Sequence, residues 1–300
     1  MMNRSNKTVP TRNGDRDGLT PPLALDQAAM AALGVDAKIG LLATRDPEGL
    51  PHVTLITSLN AKDPTRLMFG QFCEGLGKSH LQSDPRAAFM IVNSRGRCWS
   101  GTAHWAEKAS GGADLDAYNS KPMFRYNAYF GVHTVHYLDL VHYAGNHALP
   151  RLRLALGAGA LAAARTLRVS DAGSVPALSN WAQRLLRSPR TLKFASWIAD
   201  NGYPRLSLPL PCTAANSGRL LMSGTPAGAS SGPPRPGQQL SVFAINLDME
   251  SVLVRGTWRH RGRLLSDLEL DYVYNSMPPK QGQVYPRQPL RAISSFIRGA

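Results

Sequence analysis

Ile39-Gly-Leu-Leu-Ala-Thr-Arg-Asp-Pro-Glu-Gly-Leu-Pro-His-Val53 and Phe194-Ala-Ser-Trp-Ile-Ala-Asp-Asn-Gly-Tyr-Pro-Arg-Leu206 are two versions of one pattern. Gly49 and Gly202 stand 153 positions apart, as do Pro51 and Pro204. The same offset carries Ala61 to Ala214, Arg66 to Arg219 and Leu67 to Leu220. Phe89 then maps to Phe243 at 154, and Gly101-Thr102 to Gly256-Thr257 at 155. One such match is chance, but a collinear series over about 65 residues is a tandem duplication.

Each copy reads as β-structure. Ile39, Leu41 and Ala43 alternate up to the turn signal Asp46-Pro-Glu-Gly49, and Val53, Leu55 and Thr57 alternate with Thr54, Ile56 and Ser58 beyond it. That is a hairpin. Residues 66–70 predict a third strand, 76–81 a short helix ended at Asp84-Pro85, and 88–92 and 98–105 two more strands. The second copy repeats the series at 193–199, 203–210, 219–223, 239–245 and 251–259, with Asp200-Asn-Gly202 as its turn. A leading helix runs from Asp26 as N-cap to Gly34. Short antiparallel strands at this spacing build small barrels. Between the copies, 113–190 reads as helical, and 225–238, dense in Gly, Pro and Ser, as a loop. The expected fold is mainly β with helical insertions (α+β): two split β-barrels in tandem, forming a pseudo-dimer. The expected division is a disordered tail at 1–20, a first barrel at 21–110, a helical His- and Arg-rich insertion at 111–190, and a second, degenerate barrel at 191–300.

Composition removes other classes. With 43% hydrophobic and 18% charged residues in 300, the chain is neither collagen-like, coiled-coil nor wholly disordered. No apolar run reaches the ~18 residues of a membrane span, and the polar N-terminus shows no signal peptide. Three cysteines make no disulfide framework. A soluble, cytoplasmic protein is the default expectation. The net charge of +14 is uneven. Residues 151–195 hold eight basic residues against Asp171 alone, and the last 21 residues add Lys280, Arg287, Arg291 and Arg298 with no acid. Such a surface attracts phosphates or nucleic acid. With no aromatic–basic interleaving and no helix-turn-helix pattern, it reads as a solvated Arg-rich face, and nucleic acid is not the expected partner. Gly157-Ala-Gly159 lacks the strand–helix–strand context and acidic residue of a dinucleotide site.

Gly40-Leu-Leu-Ala-Thr-Arg-Asp-Pro-Glu-Gly-Leu-Pro-His-Val, then Arg66-Leu-Met-Phe-Gly, then Gly77-Lys-Ser-His-Leu and Asp84-Pro-Arg-Ala-Ala-Phe, together resemble the FMN-binding split-barrel family, the pyridoxamine 5′-phosphate oxidase-like superfamily. The resemblance covers 37–105 well and 192–260 more loosely. It implies an FMN-dependent oxidoreductase acting on an unidentified small organic substrate, with NAD(P)H as a candidate reductant. It also implies flavin between two barrels, which a tandem chain would supply as a monomeric pseudo-dimer or as a homodimer. The alternative on the same scaffold is a non-catalytic flavin- or haem-binding protein, and the residues leave FMN, FAD, deazaflavin and haem open.

A flavin phosphate needs a cation, hydroxyls and free backbone N–H groups, best supplied at a helix N-terminus. Lys78 and Ser79 at the start of a short helix offer these. His52, Thr54 and Ile56 share one strand face, a half-polar lining suited to the flavin ring edge, and Gln71 and Phe72 end the third strand beside it. The second copy lacks the lysine turn, so one complete site is expected, with Arg255 and Trp258 from the second barrel as its opposite wall. Four of eight histidines crowd between the copies: His133, His136, His142 and His147. On a helix, His133, His136 and Tyr137 would share a face. They are candidates for substrate binding or proton transfer beside a reduced flavin, for metal or haem ligation, or for an ordinary core. With no third ligand evident, no metal is expected. Cys73 lies near the proposed site and reads as a structural thiol.

Overall fold

The computed structural model describes residues 24–71, 73, 75–121, 131–168, 176–226, 232–261, 264–275 and 282–286. The tail expected at 1–20 and the candidate Phe72 lie outside the described residues.

Helix α1 (Gln27–Gly34) starts where Asp26 accepts a hydrogen bond from the Ala29 N–H, the ordinary N-cap arrangement. The first sheet then forms from β1 (Lys38–Arg45), β2 (Pro51–Leu55), β3 (Asn60–Asp63), β4 (Arg66–Gln71), β5 (Arg86–Asn93), β6 (Arg97–Ala109) and β7 (Thr134–Ala148). Helix α2 (Leu76–Ser83) lies between β4 and β5, and α3 (Ala113–Ser120) between β6 and β7. Its strand order is β2-β1-β5-β6-β7-β4-β3. Helices α4 (Arg151–Arg168) and α5 (Asn180–Arg187) lead to β8 (Leu192–Ile198), β9 (Pro204–Leu206), β10 (Cys212–Ala214), β11 (Arg219–Ser223), β12 (Gln239–Ile245), β13 (Ser251–Arg261) and β14 (Leu265–Asn275). These follow the order β9-β8-β12-β13-β14-β11-β10, with β15 (Gly282–Tyr285) added on β14. The two orders are the same, strand for strand, and α5 repeats α1 at the offset of 153. The chain is mainly β: two split barrels in tandem, paired as a pseudo-dimer.

Two expectations are corrected. Residues 134–148 are not helical but form β7, which closes the first barrel between β6 and β4. The run Thr-Val-His-Tyr is β-branched and aromatic, as strands favour. Its inward positions, Thr134 and His136, are polar, so the hydrophobic alternation was hidden. The match of Phe89 to Phe243 slips by one residue, which turns a side chain to the other face. Phe89 opposes Leu42 and fills the first barrel, whereas Phe243 opposes Phe194 and faces the other barrel. Val242 takes the inward place in the second barrel. Gly101 and Gly256 are likewise two register positions apart, opposite Phe89 and Leu240.

Among the described residues three large apolar cores result, beside a small cluster of Tyr118, Val132 and Val135. Leu42, Phe69, Phe89 and Leu138 fill the first barrel, and Trp197, Val242, Trp258 and Leu268 the second. The third lies between them, with Leu41, Val53 and Met90 meeting Phe194, Phe243, Leu253 and Tyr272. Strand β1 is therefore buried on both faces, which explains the unbroken Gly40-Leu-Leu-Ala run. The packing has a pseudo-twofold: β2 lies on β8, β12 and β13, and β9 on β1, β5 and β6.

Candidate functional site

Helix α2 lies on β2 because residue 77 is glycine. A Cβ there would stand 2.3 Å from Thr54 Oγ1. The N-cap, Gly75, brings no side chain to the first N–H groups, which normally find a partner in a capping oxygen or a ligand. Thr54 Oγ1 is buried without a hydrogen-bond partner. Lys78 is buried and its Nζ donates to the Cys73 carbonyl at 2.5 Å. Ser79 points to solvent, so of the two phosphate candidates only Lys78 turns inward.

His52 is buried on the same face of β2, edge-on to His80 at 5.0 Å and to Tyr274 of the second barrel at 5.2 Å. Burial, reinforced by His80 and Arg255, pushes its pKa down to about 3. His80, also lowered by burial, places Nδ1 3.3 Å from Thr44 Oγ1. Burial raises Tyr274 to about 12, while the Leu76 N–H at the start of α2 pulls in the opposite direction. The second barrel thus brings Tyr274 to the N-terminus of α2. Ile56, the third residue of the expected polar face, is in the first barrel's core.

Arg255 crosses between the barrels. Its guanidinium donates to Asp46 Oδ2 at 2.6 Å and lies 4.5 Å from the Tyr272 ring centre. It is an anchored cation between the barrels rather than a free one. Trp258 does not join it: three residues on along a strand is the opposite face, and Trp258 is fully buried in the second barrel's core.

The expected trio of His133, His136 and Tyr137 is separated by the same strand geometry. His136 points into the first barrel, stacked on Phe69 at 4.7 Å. Its Nδ1 accepts from the Trp105 indole N–H at 3.2 Å, so Nε2 carries the proton and donates to Gln71 Oε1 at 2.6 Å. Burial, then the charge of Lys78, lowers its pKa to about 4. Tyr137 faces away, donating to Asp114 at 2.7 Å. His133 precedes β7, with Nδ1 3.0 Å from Thr134 Oγ1. Among the described residues, no group of three or more His, Cys, Asp or Glu is placed to hold a metal ion, and no helix is long and apolar enough to cross a membrane.

The residues brought together are therefore His52, Thr54 and Lys78, with Gln71 and His136 on the barrel side and Arg255 from the second barrel. His80, Asp46, Tyr272 and Tyr274 belong to the same region and were not foreseen. His80 lies two residues past Lys78 and Asp46 in the turn motif, so both had a local signal. The two tyrosines lie on β14, beyond the last strand read from the sequence.

No protein-family model matches the chain, and no curated protein matches it. Several solved structures are similar to parts of it. HupZ of Group A Streptococcus is 15% identical over 39% of this chain and 90% of that one, with a TM-score of 0.33. An FMN-binding protein from Syntrophomonas wolfei is 11% identical over 38% and 81%, at 0.34. An F420 reductase is 15% identical over 41% and 98%, at 0.31.

Proposed function

We propose that the chain is an FMN-binding flavoprotein that acts as an oxidoreductase on a small organic substrate. The observation that carries this reading is the cluster of donor groups where α2 meets the second barrel. A helix N-terminus with a glycine N-cap, the Lys78 ammonium and the orphaned Thr54 hydroxyl are the donor set a phosphate ester and its polyol chain require. Lys78 would exchange the Cys73 carbonyl for the phosphate. His52 and Tyr274 offer aromatic surface to the ring, and both are uncharged at neutral pH. When bound, FMN supplies the hydride or single-electron chemistry.

His136 supports a positioning role better than proton transfer, because both ring nitrogens are engaged and its proton is held by Gln71. It fixes the Gln71 amide, the group at the end of β4. That engagement also leaves it no nitrogen for haem.

The absorption spectrum of the purified protein, with added FMN if it is isolated empty, tests the reading. Bands near ~370 and ~450 nm are expected for bound flavin. A colourless protein that takes up no flavin overturns it. Bleaching of the bound flavin by NADH or NADPH, followed by reoxidation with candidate acceptors, separates an oxidoreductase from a passive carrier.

A further inference from the structure

The pseudo-twofold sets β9 against β1, β5 and β6 as it sets β2 against β8, β12 and β13, and the residues at this second inter-barrel contact differ. At the offset of 153, Arg205 replaces His52, Ser207 replaces Thr54 and Leu206 replaces Val53. The ladders agree: Arg205 is opposite Trp197 as His52 is opposite Thr44. In the facing barrel, Thr102 pairs with His142 where Arg255 pairs with Tyr272. Among the described residues no helix takes the place of α2, so this contact is not a second copy of the first site.

Among the described residues Arg205 has no counter-charge. It is half-buried, its Nε is buried without a hydrogen-bond partner, and among the described residues its side chain makes no ion pair and no hydrogen bond. Four other half-buried arginines have a carboxylate partner: Arg45 and Arg86 with Asp84, Arg219 with Asp267, Arg255 with Asp46. The place of Asp46 is taken by Ala199, and the neighbouring Asp200 is turned out to solvent and pairs with Arg235. His142 adds a second orphan, Nδ1, also buried without a partner. Burial, then the charge of Arg205, lowers the His142 pKa, so this side chain feels Arg205 directly. A partly buried guanidinium with no counter-charge gains from an anion that completes it, and its planar fork fits an oxyanion in two-point contact.

We propose that Arg205 and His142 form a second ligand site, specific for a small oxyanion such as a carboxylate or a phosphate. The site stands whether or not flavin binds at α2. The full-length protein, with arginine Nε–H and histidine ring signals followed by NMR, is titrated with inorganic phosphate and separately with acetate at constant ionic strength. A saturable shift of the Arg205 Nε–H signal, with a rise in the His142 pKa, is expected for at least one. Saturation by phosphate assigns a phosphate-bearing ligand, and saturation by acetate alone a carboxylate. Lys78→Ala should leave both responses unchanged, which separates this site from the flavin reading. Arg205→Gln should abolish the His142 response. Arg205→Lys, which keeps the charge without the fork, should weaken binding about tenfold. A linear response in the native protein, an unchanged His142 response in Arg205→Gln, or undiminished affinity in Arg205→Lys overturns the assignment.

Discussion

Arg255 and Asp46 stand 209 positions apart in the chain and 2.6 Å apart in space, joining the β13 strand of one barrel to the β1–β2 turn of the other. Both side chains are buried, and the second Asp46 oxygen accepts from the Leu50 N–H at 2.7 Å, holding the turn that presents it. Removing one partner strands the other charge at the interface, which costs about 3–5 kcal/mol in buried pairs. Asp46→Asn and Arg255→Met should each lose about that much in urea unfolding at neutral pH, and the double variant less than their sum. Single variants within about 0.5 kcal/mol of the native protein would show the pair to be dispensable.

Gly101 and Gly256 each let a neighbouring strand approach closely. A Cβ at Gly101 would stand 2.2 Å from the His142 carbonyl oxygen, and one at Gly256 1.9 Å from that of Glu269. The obstacle in both is backbone, which no rotamer change relieves. Alanine at either should cost about 1–3 kcal/mol, read as a lower thermal midpoint. Gly111→Ala, where a Cβ meets nothing within 4 Å, is the control and should be near neutral.

The hairpins and α1 were legible because their signals are local: turn residues, strict alternation and an aspartate cap. Strand β7 was not. Its inward Thr134 and His136 are polar while its outward Tyr137 is aromatic, so a period of two and a period of 3.6 fit equally badly. Lys78, His52 and Thr54 could be read from one contiguous motif. The partner of Arg255 could not, because the Asp46 contact exists only once the two barrels are docked. Arg255 and Trp258 both lie near the end of the last strand shared by the copies, but strand alternation sends them to opposite faces and Trp258 into the core.

His136 makes stability depend on pH. Its pKa is about 4 when folded against 6.5 as a free side chain, so the unfolded chain binds the extra proton between those values. Stability is therefore full above about pH 6.5 and falls as pH drops toward 4, by up to a few kcal/mol. His52, lowered to about 3, acts in the same direction over a wider range. His136→Gln should lower stability at pH 7 by removing the stacked, hydrogen-bonded ring. It should also flatten the slope between pH 7 and pH 5 in denaturant titrations. An unaltered slope would mean that His136 is not held neutral in the folded protein.

Thr54 separates ligand binding from folding. Its hydroxyl is buried beside Gly77 with no partner, and an unsatisfied buried polar group costs about 1–3 kcal/mol. Thr54→Val keeps the shape and removes that group, so the flavin-free protein should gain on the order of 1 kcal/mol in unfolding experiments. If the hydroxyl is there for the cofactor, the same variant should bind FMN about tenfold more weakly, the worth of one good hydrogen bond. Lys78→Ala should lower affinity further, since it removes a full charge from a dianion. The opposed signs are the test: fluorescence titration with FMN and urea unfolding of the empty protein are run on one preparation. A variant that is more stable yet binds FMN with native affinity would remove Thr54 from the flavin site.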